Sequence, residues 1–502
     1  MLNATTCDPS MTPQRILFAS DAIPPPGGNH DLAEFTTTLT ATLGSMGHDI
    51  RLIRPGYPAL LSQADGLLPV SRIRLPGSGR EARILERRLE QNVRLYLVDI
   101  PGLFDQPPPS AQQESAQAAT ESAIRAGVFS RVVSLMAVNR AGLNWQPELL
   151  HCNGWQTALA IPLLADEWSR PATLYTLHDT DHRSFTGEQV RQLALPVELL
   201  KSGALEMAGR LSFEKGAILM ADELALPSAG YRGALLSDPA LHPLARLLAE
   251  RAGRLSGIAS GVDYRRWNPA TDPYIHQQYD SSSFELKRLN RQHLQADLGL
   301  PLDERDLLIG YLATAPDDTE VRQLHALLAA ADPDLPLHLL IAAGAAEPAL
   351  EPLLELARQR PRRLSLQLAT DEPGWHRILA ACDCLLLPAR HYPSAYQAQC
   401  GLAYGTVPIA HATPSMRETV TDATPANLLH GAASGFLYQP ATPEQLADVI
   451  ARVSAFHAKP PIWWQKLALQ GMSRSFPASE TAQHYLQRYR AAIDHPAASL
   501  LA

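Results

Sequence analysis

Apolar and polar positions along the chain fall into short apolar runs separated by longer amphipathic stretches. The first run, RILFAS (15–20), predicts a strand; a Pro/Gly loop follows, IPPPGGNH (23–30), and then the helical stretch DLAEFTTTLTATLGSMGHDIRLI (31–53) ends in a second strand. Strand, glycine loop, helix and strand at this spacing make a βαβ unit. Further strands are predicted at LYLVDI (95–100), ELLHC (148–152) and ATLYTLH (172–178), with helices between. That alternation predicts an α/β fold with a parallel, doubly wound sheet. After residue 300 the pattern restarts. DLLIGYLA (306–313), LHLLIAAG (337–344), LSLQLA (364–369), CLLLPA (384–389) and VPIAH (407–411) read as strands, separated by amphipathic helices such as TEVRQLHALLAAA (319–331).

Two Rossmann-like halves in series are therefore expected, in keeping with 502 residues, too many for a single hydrophobic core. The join falls around 255 to 305, where GIASGVDYRRWNPATDPYI (257–275) is rich in turn formers and lacks helical periodicity. The expected organisation is an N-terminal domain over 1–255, an interdomain segment over 256–305, a C-terminal domain over 306–478, and a closing helix in 479–502 that packs back on the N-terminal domain. Ligands of such sheets sit beyond the carboxyl ends of the strands, so two facing halves would offer a cleft. Gly27 and Gly28, after the first strand, are candidates for a phosphate or sugar loop. They read equally well as a structural turn, since glycine simply permits positive φ.

Charge narrows the partners. A net charge of −8 with a pI near 6.1 leaves no basic stripe for nucleic acid or an anionic membrane, so any anionic ligand must be met locally. The N-terminus lacks a basic segment followed by an apolar core, and nowhere do about 18 apolar residues run uninterrupted, which reads as a cytoplasmic protein. Five scattered cysteines suit a reducing compartment. Cys382-Asp383-Cys384 could suggest a metal, but the triplet opens an apolar run and reads as buried strand thiols. No His/Cys cluster has zinc spacing, and neither a metal nor a cofactor is expected.

The chain resembles the bacterial glycogen synthase and plant starch synthase family, glucosyltransferases of the GT-B fold that use ADP-glucose. The block RAGRLSGIASGVDYRRWNPATDPYI (251–275), continued by KRLNRQHLQADLGLP (287–301), carries the most specific likeness. Further matches are GHDIRLIRPGY (47–57), YLVDIPGLFD (96–105), SFEKGAILMAD (212–222), DEPGWHRILAACDCLLLPAR (371–390), AYGTVPI (403–409), TDATPANLLHGAASGFLY (421–438) and AQHYLQRY (482–489). The resemblance implies retaining transfer of glucose to the non-reducing end of an α-1,4-glucan. Basic side chains and backbone amides, not a metal, would stabilise the departing diphosphate.

At the positions that would do this, the chain departs from the family. The pattern Lys-Thr-Gly-Gly-Leu-Ala-Asp stands here as Gly28-Asn29-His30-Asp31-Leu32-Ala33-Glu34, and the chain's only lysines are Lys201, Lys215, Lys287, Lys459 and Lys466. His-Ala-His-Asp-Trp-His stands as His151-Cys152-Asn153-Gly154-Trp155-Gln156. Asn153 and Gln156 can still hydrogen-bond a sugar, but neither carries a proton at neutral pH. His151 reads either as a ligand contact or as a strand-end core histidine. Ser-Arg-Leu-Thr-x-Gln-Lys-Gly stands as Ala313-Thr314-Ala315-Pro316-Asp317-Asp318-Thr319-Glu320, so Thr314 and Thr319 replace both phosphate-holding cations and three acids enter. Arg-Phe-Glu-Pro-Cys-Gly-Leu stands as Arg390-His391-Tyr392-Pro393-Ser394-Ala395-Tyr396, with Tyr392 for the sugar-binding Glu. Thr-Gly-Gly-Leu stands as Thr413-Pro414-Ser415-Met416, where Pro414 lacks an N–H.

These replacements lead the sequence to be read as a glycogen-synthase-like pseudo-glycosyltransferase, dead or severely impaired, with a binding or regulatory role in glycogen metabolism. An α-glucan, a nucleotide sugar or a protein partner would be bound. An active glucosyltransferase with a rearranged site is the alternative, and a protein interaction module the second. His151, His178 and Arg390 are the candidates for residual ligand contacts; Arg322 and Arg417 read as surface charges. His178-Asp179-Thr180-Asp181 departs from the family's His-Asn, which weakens the case for a glucan acceptor. The expected cleft is lined by Gly27, Asn153, Thr314, Tyr392 and Thr413.

Overall fold

The run RILFAS forms the first strand, β1 (Arg15–Ser20), and residues 16–19 are completely shielded from solvent. A strand so buried needs cover on both faces, which is what crossover helices provide. In this computed structural model the described residues are 12–22, 30–62, 66–76, 79–106, 115–178, 182–300, 303, 305–313, 318–330, 337–343, 350–368, 370–388 and 394–497. The chain divides into two units. Unit 1 comprises residues 1–23, 35–258 and 479–502; unit 2 comprises 24–34 and 259–478.

Unit 1 is built on a nine-stranded sheet. Its strands, with one small hairpin outside the sheet, are β2 (Asp49–Pro55), β3 (Leu68–Arg74), β4 (Glu81–Arg88), β5 (Val93–Asp99), β6 (Leu149–Asn153), β7 (Ala172–Thr176), the hairpin pair β8 (Glu206–Met207) and β9 (Arg210–Leu211), β10 (Glu223–Leu226) and β11 (Leu255–Gly257). The order across the sheet is β11-β10-β7-β6-β1-β2-β5-β4-β3. Pairing is parallel from β11 to β5, and the edge is an antiparallel hairpin of β3 and β4. That edge departs from the wholly parallel expectation. Only Ile73 is buried in β3, and arginines line the edge, as suits a strand that must not pair with another chain. At the other edge Gly257 has no room for a side chain: a Cβ there would lie 2.3 Å from the Ser228 carbonyl oxygen.

Unit 2 holds a six-stranded sheet of β12 (Leu307–Ala313), β13 (Leu337–Ala343), β14 (Leu364–Gln367), β15 (Cys384–Leu387), β16 (Val407–His411) and β17 (Phe436–Tyr438), in the order β14-β13-β12-β15-β16-β17 and parallel throughout. Successive strand residues face opposite sides. Ile309 and Tyr311 accordingly join one core cluster while Leu308 and Leu312 join another, so helices cover both faces.

The stretch 259–305, expected to stand between domains, packs into unit 2. Trp267 stacks on His376 at 4.0 Å between ring centroids. Asp272 binds His376 Nδ1 at 2.7 Å, and Lys287 donates to the carbonyl oxygens of Leu379, Ala380 and Tyr404. Residues 24–34, placed by sequence in the N-terminal domain, also count with unit 2, while the helix Ala478–Asp494 belongs to unit 1 almost entirely. No helix among the described residues is long and apolar enough to cross a membrane.

Candidate functional site

In unit 1 the neighbouring parallel strands β1, β6 and β7 end at one level, with Ser20 opposite Asn153 and Asn153 opposite Thr176. Asp21, Asn153, Gln156 and His178 therefore gather at their carboxyl ends. Gly154, which follows β6, has φ +74 and accepts the turn into the short helix Trp155–Ala158 that a side chain would resist. Asn153 donates through Nδ2 to the Ala19 carbonyl (3.2 Å), leaving Oδ1 to accept from His178 Nε2 at 3.1 Å. His178 thus carries its proton on Nε2, and its Nδ1 can only accept. Burial drops its pKa to about 3, so it is neutral at physiological pH. Gln156 is half-buried, and its Oε1 is shut off from solvent without a partner.

His151 does not join this group. Its Nδ1 bonds the Tyr489 hydroxyl and its Nε2 the Thr176 hydroxyl, both at 2.8 Å. The ring is completely buried, and desolvation holds its pKa well below the usual imidazole range. It is a core histidine with both nitrogens committed inside unit 1, which corrects its candidacy as a ligand contact.

Asp21 escaped notice in the sequence. Its Oδ1 has no hydrogen-bond partner and no access to solvent. Burial raises its pKa to about 7 against the opposing hydrogen bond from Tyr57 and the charges of Arg54 and Arg125. The available signal was its place, an acid directly after a fully buried strand at its carboxyl end.

In unit 2 Glu34, which stands where the family has Asp, is tied down. Glu34 accepts from Arg266 Nη1 and from the Tyr396 hydroxyl, each at 3.0 Å. Arg266 also bonds Glu372. Burial would weaken the guanidinium, but the two carboxylates outweigh it and hold Arg266 above its ordinary pKa. Asp31 titrates at about 6, because burial outweighs its hydrogen bond to Ser394 while Glu34 adds repulsion. Ser394 Oγ accepts from the Tyr396 amide at 3.1 Å, and Ala395 is buried at the start of the helix Tyr396–Ala403.

Thr413 caps the helix Pro414–Thr419, its hydroxyl accepting from the Met416 amide at 3.3 Å. Arg417 donates to the Ala412 carbonyl and to Gln439. It is exposed, in keeping with a surface charge, and is held to its own unit by these bonds. Glu320 is buried and accepts from the Tyr311 hydroxyl, so of the three acids expected around the phosphate position this one is turned to the core. Thr319 lies in the helix Asp318–Ala330.

Gly27, Gly28, Thr314, Tyr392 and Arg390 lie outside the described residues, as do Asp179, Thr180 and Asp181. Cys382 and Cys384 are buried, and desolvation pushes both thiols up, Cys382 to about 12. Among the described residues no group of three or more His, Cys, Asp or Glu is arranged to hold a metal ion.

Comparison with known proteins gives these arrangements a context. The catalytic domain of starch synthase IV from Arabidopsis thaliana, solved bound to ADP and acarbose, matches at TM-score 0.83 with 20% identity, covering 96% of this chain and all of that one. Sucrose-phosphate synthase from Thermosynechococcus elongatus matches at TM-score 0.60 with 16% identity, covering 95% and 98%. The fold is that of the GT-B glycosyltransferases. A family model described as the starch synthase catalytic domain matches residues 15–250. Glycogen synthase 1 of Methylococcus capsulatus is 34% identical over 483 residues, 95% of this chain and 97% of that protein. Glycogen synthase of Thioalkalivibrio sulfidiphilus is 33% identical over 484 residues, 95% and 99%. The chain belongs to the glycogen synthase and starch synthase family.

Proposed function

We propose that this chain acts on α-1,4-glucan as a glucosyltransferase of the glycogen-synthase type, working from a nucleotide sugar through a rearranged and much slowed donor site. The observation that carries the reading is the kinship: about a third of all positions, over nearly the whole chain, are shared with proteins named glycogen synthase. The solved starch synthase IV holds ADP and acarbose, which supports a nucleotide donor and a glucan-like acceptor here. In this reading Gln156 and the Nδ1 of His178 hydrogen-bond the sugar without moving a proton. Asn153 is completely buried, with Nδ2 on the Ala19 carbonyl and Oδ1 on His178, so it holds His178 in place and is corrected as a sugar contact. Arg390 meets the diphosphate.

The rate expectation follows from what is missing. Each lost group that stabilises developing charge costs roughly 10²–10³ in rate, with effects that do not add. Gly28, Thr314, Thr319 and Tyr392 replace a Lys, an Arg, a Lys and a Glu of the family pattern. A specific observation favours a second reading. Those same four replacements, with Asp31 now in the loop, favour a protein that binds glucan or a partner of glycogen metabolism and transfers nothing.

One assay separates the two: transfer of labelled glucose from ADP-glucose or UDP-glucose to glycogen, with Arg390→Ala as control. Slow transfer that Arg390→Ala abolishes supports the first reading. A blank at high protein concentration, with glucan still bound, supports the second.

A further inference from the structure

The largest indole surface that unit 1 offers to water lies at the other end of its sheet from the candidate site. Trp168 is 97% exposed and stands at a groove of about 720 Å³ that also includes Gln146, Glu148, Asp166, Ser169 and Arg170. That volume is within the range of ligand pockets, about 300–1,000 Å³. Glu148 immediately precedes β6 and Ala172 opens β7, so the groove lies at the amino ends of the strands whose carboxyl ends carry Asn153 and His178. The end of the helix Ala478–Asp494 and the residues after it, Pro496 and Ala497, close one side.

The groove is braced rather than loose. Arg140 holds Glu167 through two bonds, 2.6 and 2.7 Å, and Arg170 holds the buried Asp222 through two more, 2.7 and 3.0 Å. Between these clamps Trp168 is exposed, and so is Asp166 just before them. Gln146 donates to the Ser169 carbonyl at 2.9 Å, and Glu148 Oε2 accepts from the Arg15 amide. With Arg170 and Glu167 spent on internal pairs, what remains for a ligand is a flat apolar face and hydrogen-bond acceptors, chief among them the exposed Asp166 carboxylate.

We propose that this groove is a docking site for an α-glucan chain, separate from the transfer site. Such a ligand is neutral, brings hydroxyl donors to the carboxylate, and presents the C–H face of its pyranose rings to the indole. A polyanion is disfavoured, because Glu167, Glu148 and Arg170 are each paired with a charge of their own (Arg140, Arg15 and Asp222), and the charge left in the lining is the Asp166 carboxylate. The proposal rests on the reading of the chain as glucan-acting. Docking there would hold a long polymer near the protein while leaving the carboxyl-end site free, which raises the effective concentration of chain ends.

The test uses the full chain and its Trp168→Ala and Asp166→Asn variants, both at exposed positions, with maltoheptaose in calorimetry and glycogen in native gels. Aromatic contacts of this kind correspond to roughly a three- to tenfold change in affinity. Trp168→Ala is expected to weaken maltoheptaose binding about three- to tenfold and to lose retardation by glycogen, with an unchanged melting curve. Asp166→Asn, which keeps an acceptor, is expected to weaken it less. Equal binding by native protein and Trp168→Ala overturns the proposal. So does Trp168-dependent binding of a lysine-rich peptide, abolished by salt, in a protein that ignores maltoheptaose. Transfer from ADP-glucose is read on the same preparations. Transfer with indifferent variants sinks the groove alone, and Trp168-dependent glucan binding without transfer sinks the transferase reading alone.

Discussion

Asp21 directly follows β1 and His151 stands on the neighbouring strand β6, and burial pushes both toward their neutral forms. For Asp21 the folded pKa of about 7 exceeds the ordinary 3.8. The fold therefore keeps a proton that the unfolded chain releases, and stability falls as pH rises from about 4 to about 7. Asp21→Asn imitates the protonated form. Its melting temperature, relative to the native protein, is expected to be on the order of 5 °C higher at pH 8 than at pH 5; an equal difference at both pH values would refute the assignment. His151 is the structural counterpart. His151→Ala leaves the Tyr489 and Thr176 hydroxyls without their buried partner, and unfolding in urea should show a loss of about 2–4 kcal/mol. A loss under 1 kcal/mol would mean those bonds do not hold the core. Sequence left both readings of this histidine open, because the bond that decides between them runs to a residue 338 positions away.

At the scale of elements, the one cation among the described residues that holds the first turn of the helix His30–Ser45 through Glu34 is Arg266, beside the Tyr396 hydroxyl. Arg266 clasps Glu34 and Glu372 together, and Glu34 is largely buried. Arg266→Ala leaves that carboxylate with only the Tyr396 hydroxyl and no opposite charge, at a cost of about 1–3 kcal/mol, reduced by the partial exposure of the pair. Amide hydrogen exchange of residues 30–34 should accelerate more than that of β12; uniform acceleration would show that the arginine serves general stability instead. The elements most legible in the sequence were the ones buried on both faces. RILFAS and VPIAH match β1 and β16 residue for residue, since a continuous apolar run between turn formers has few other uses. The edge hairpin β3–β4 was not legible, because its polar, arginine-rich pattern, with Leu68 65% exposed, resembles a solvated loop. Equally hidden was the attachment of 259–305 to unit 2. Its turn formers suggested a linker, whereas Trp267, Asp272 and Lys287 are fastened by side-chain contacts with residues about 100 positions away.

For the whole molecule, kinship and residue chemistry pull against each other, and rate is where they meet. The family supplies the scaffold, and the groups gathered at the carboxyl ends in unit 1 are neutral hydrogen-bonding ones: Asn153, Gln156 and His178. The missing cations were read directly from Gly28, Thr314 and Thr319, for absence of charge needs no geometry to be seen. The neutrality of His178 did need it, since only burial against Phe35 and Asn153 lowers its pKa. The most direct test is the rate of glucose transfer from ADP-glucose to glycogen by the full chain, beside a Thr314→Arg/Thr319→Lys/Tyr392→Glu variant. The account predicts slow transfer above the blank, rising at least about 10²-fold in the variant. Native transfer that the variant fails to increase, or no transfer by either protein, would contradict it.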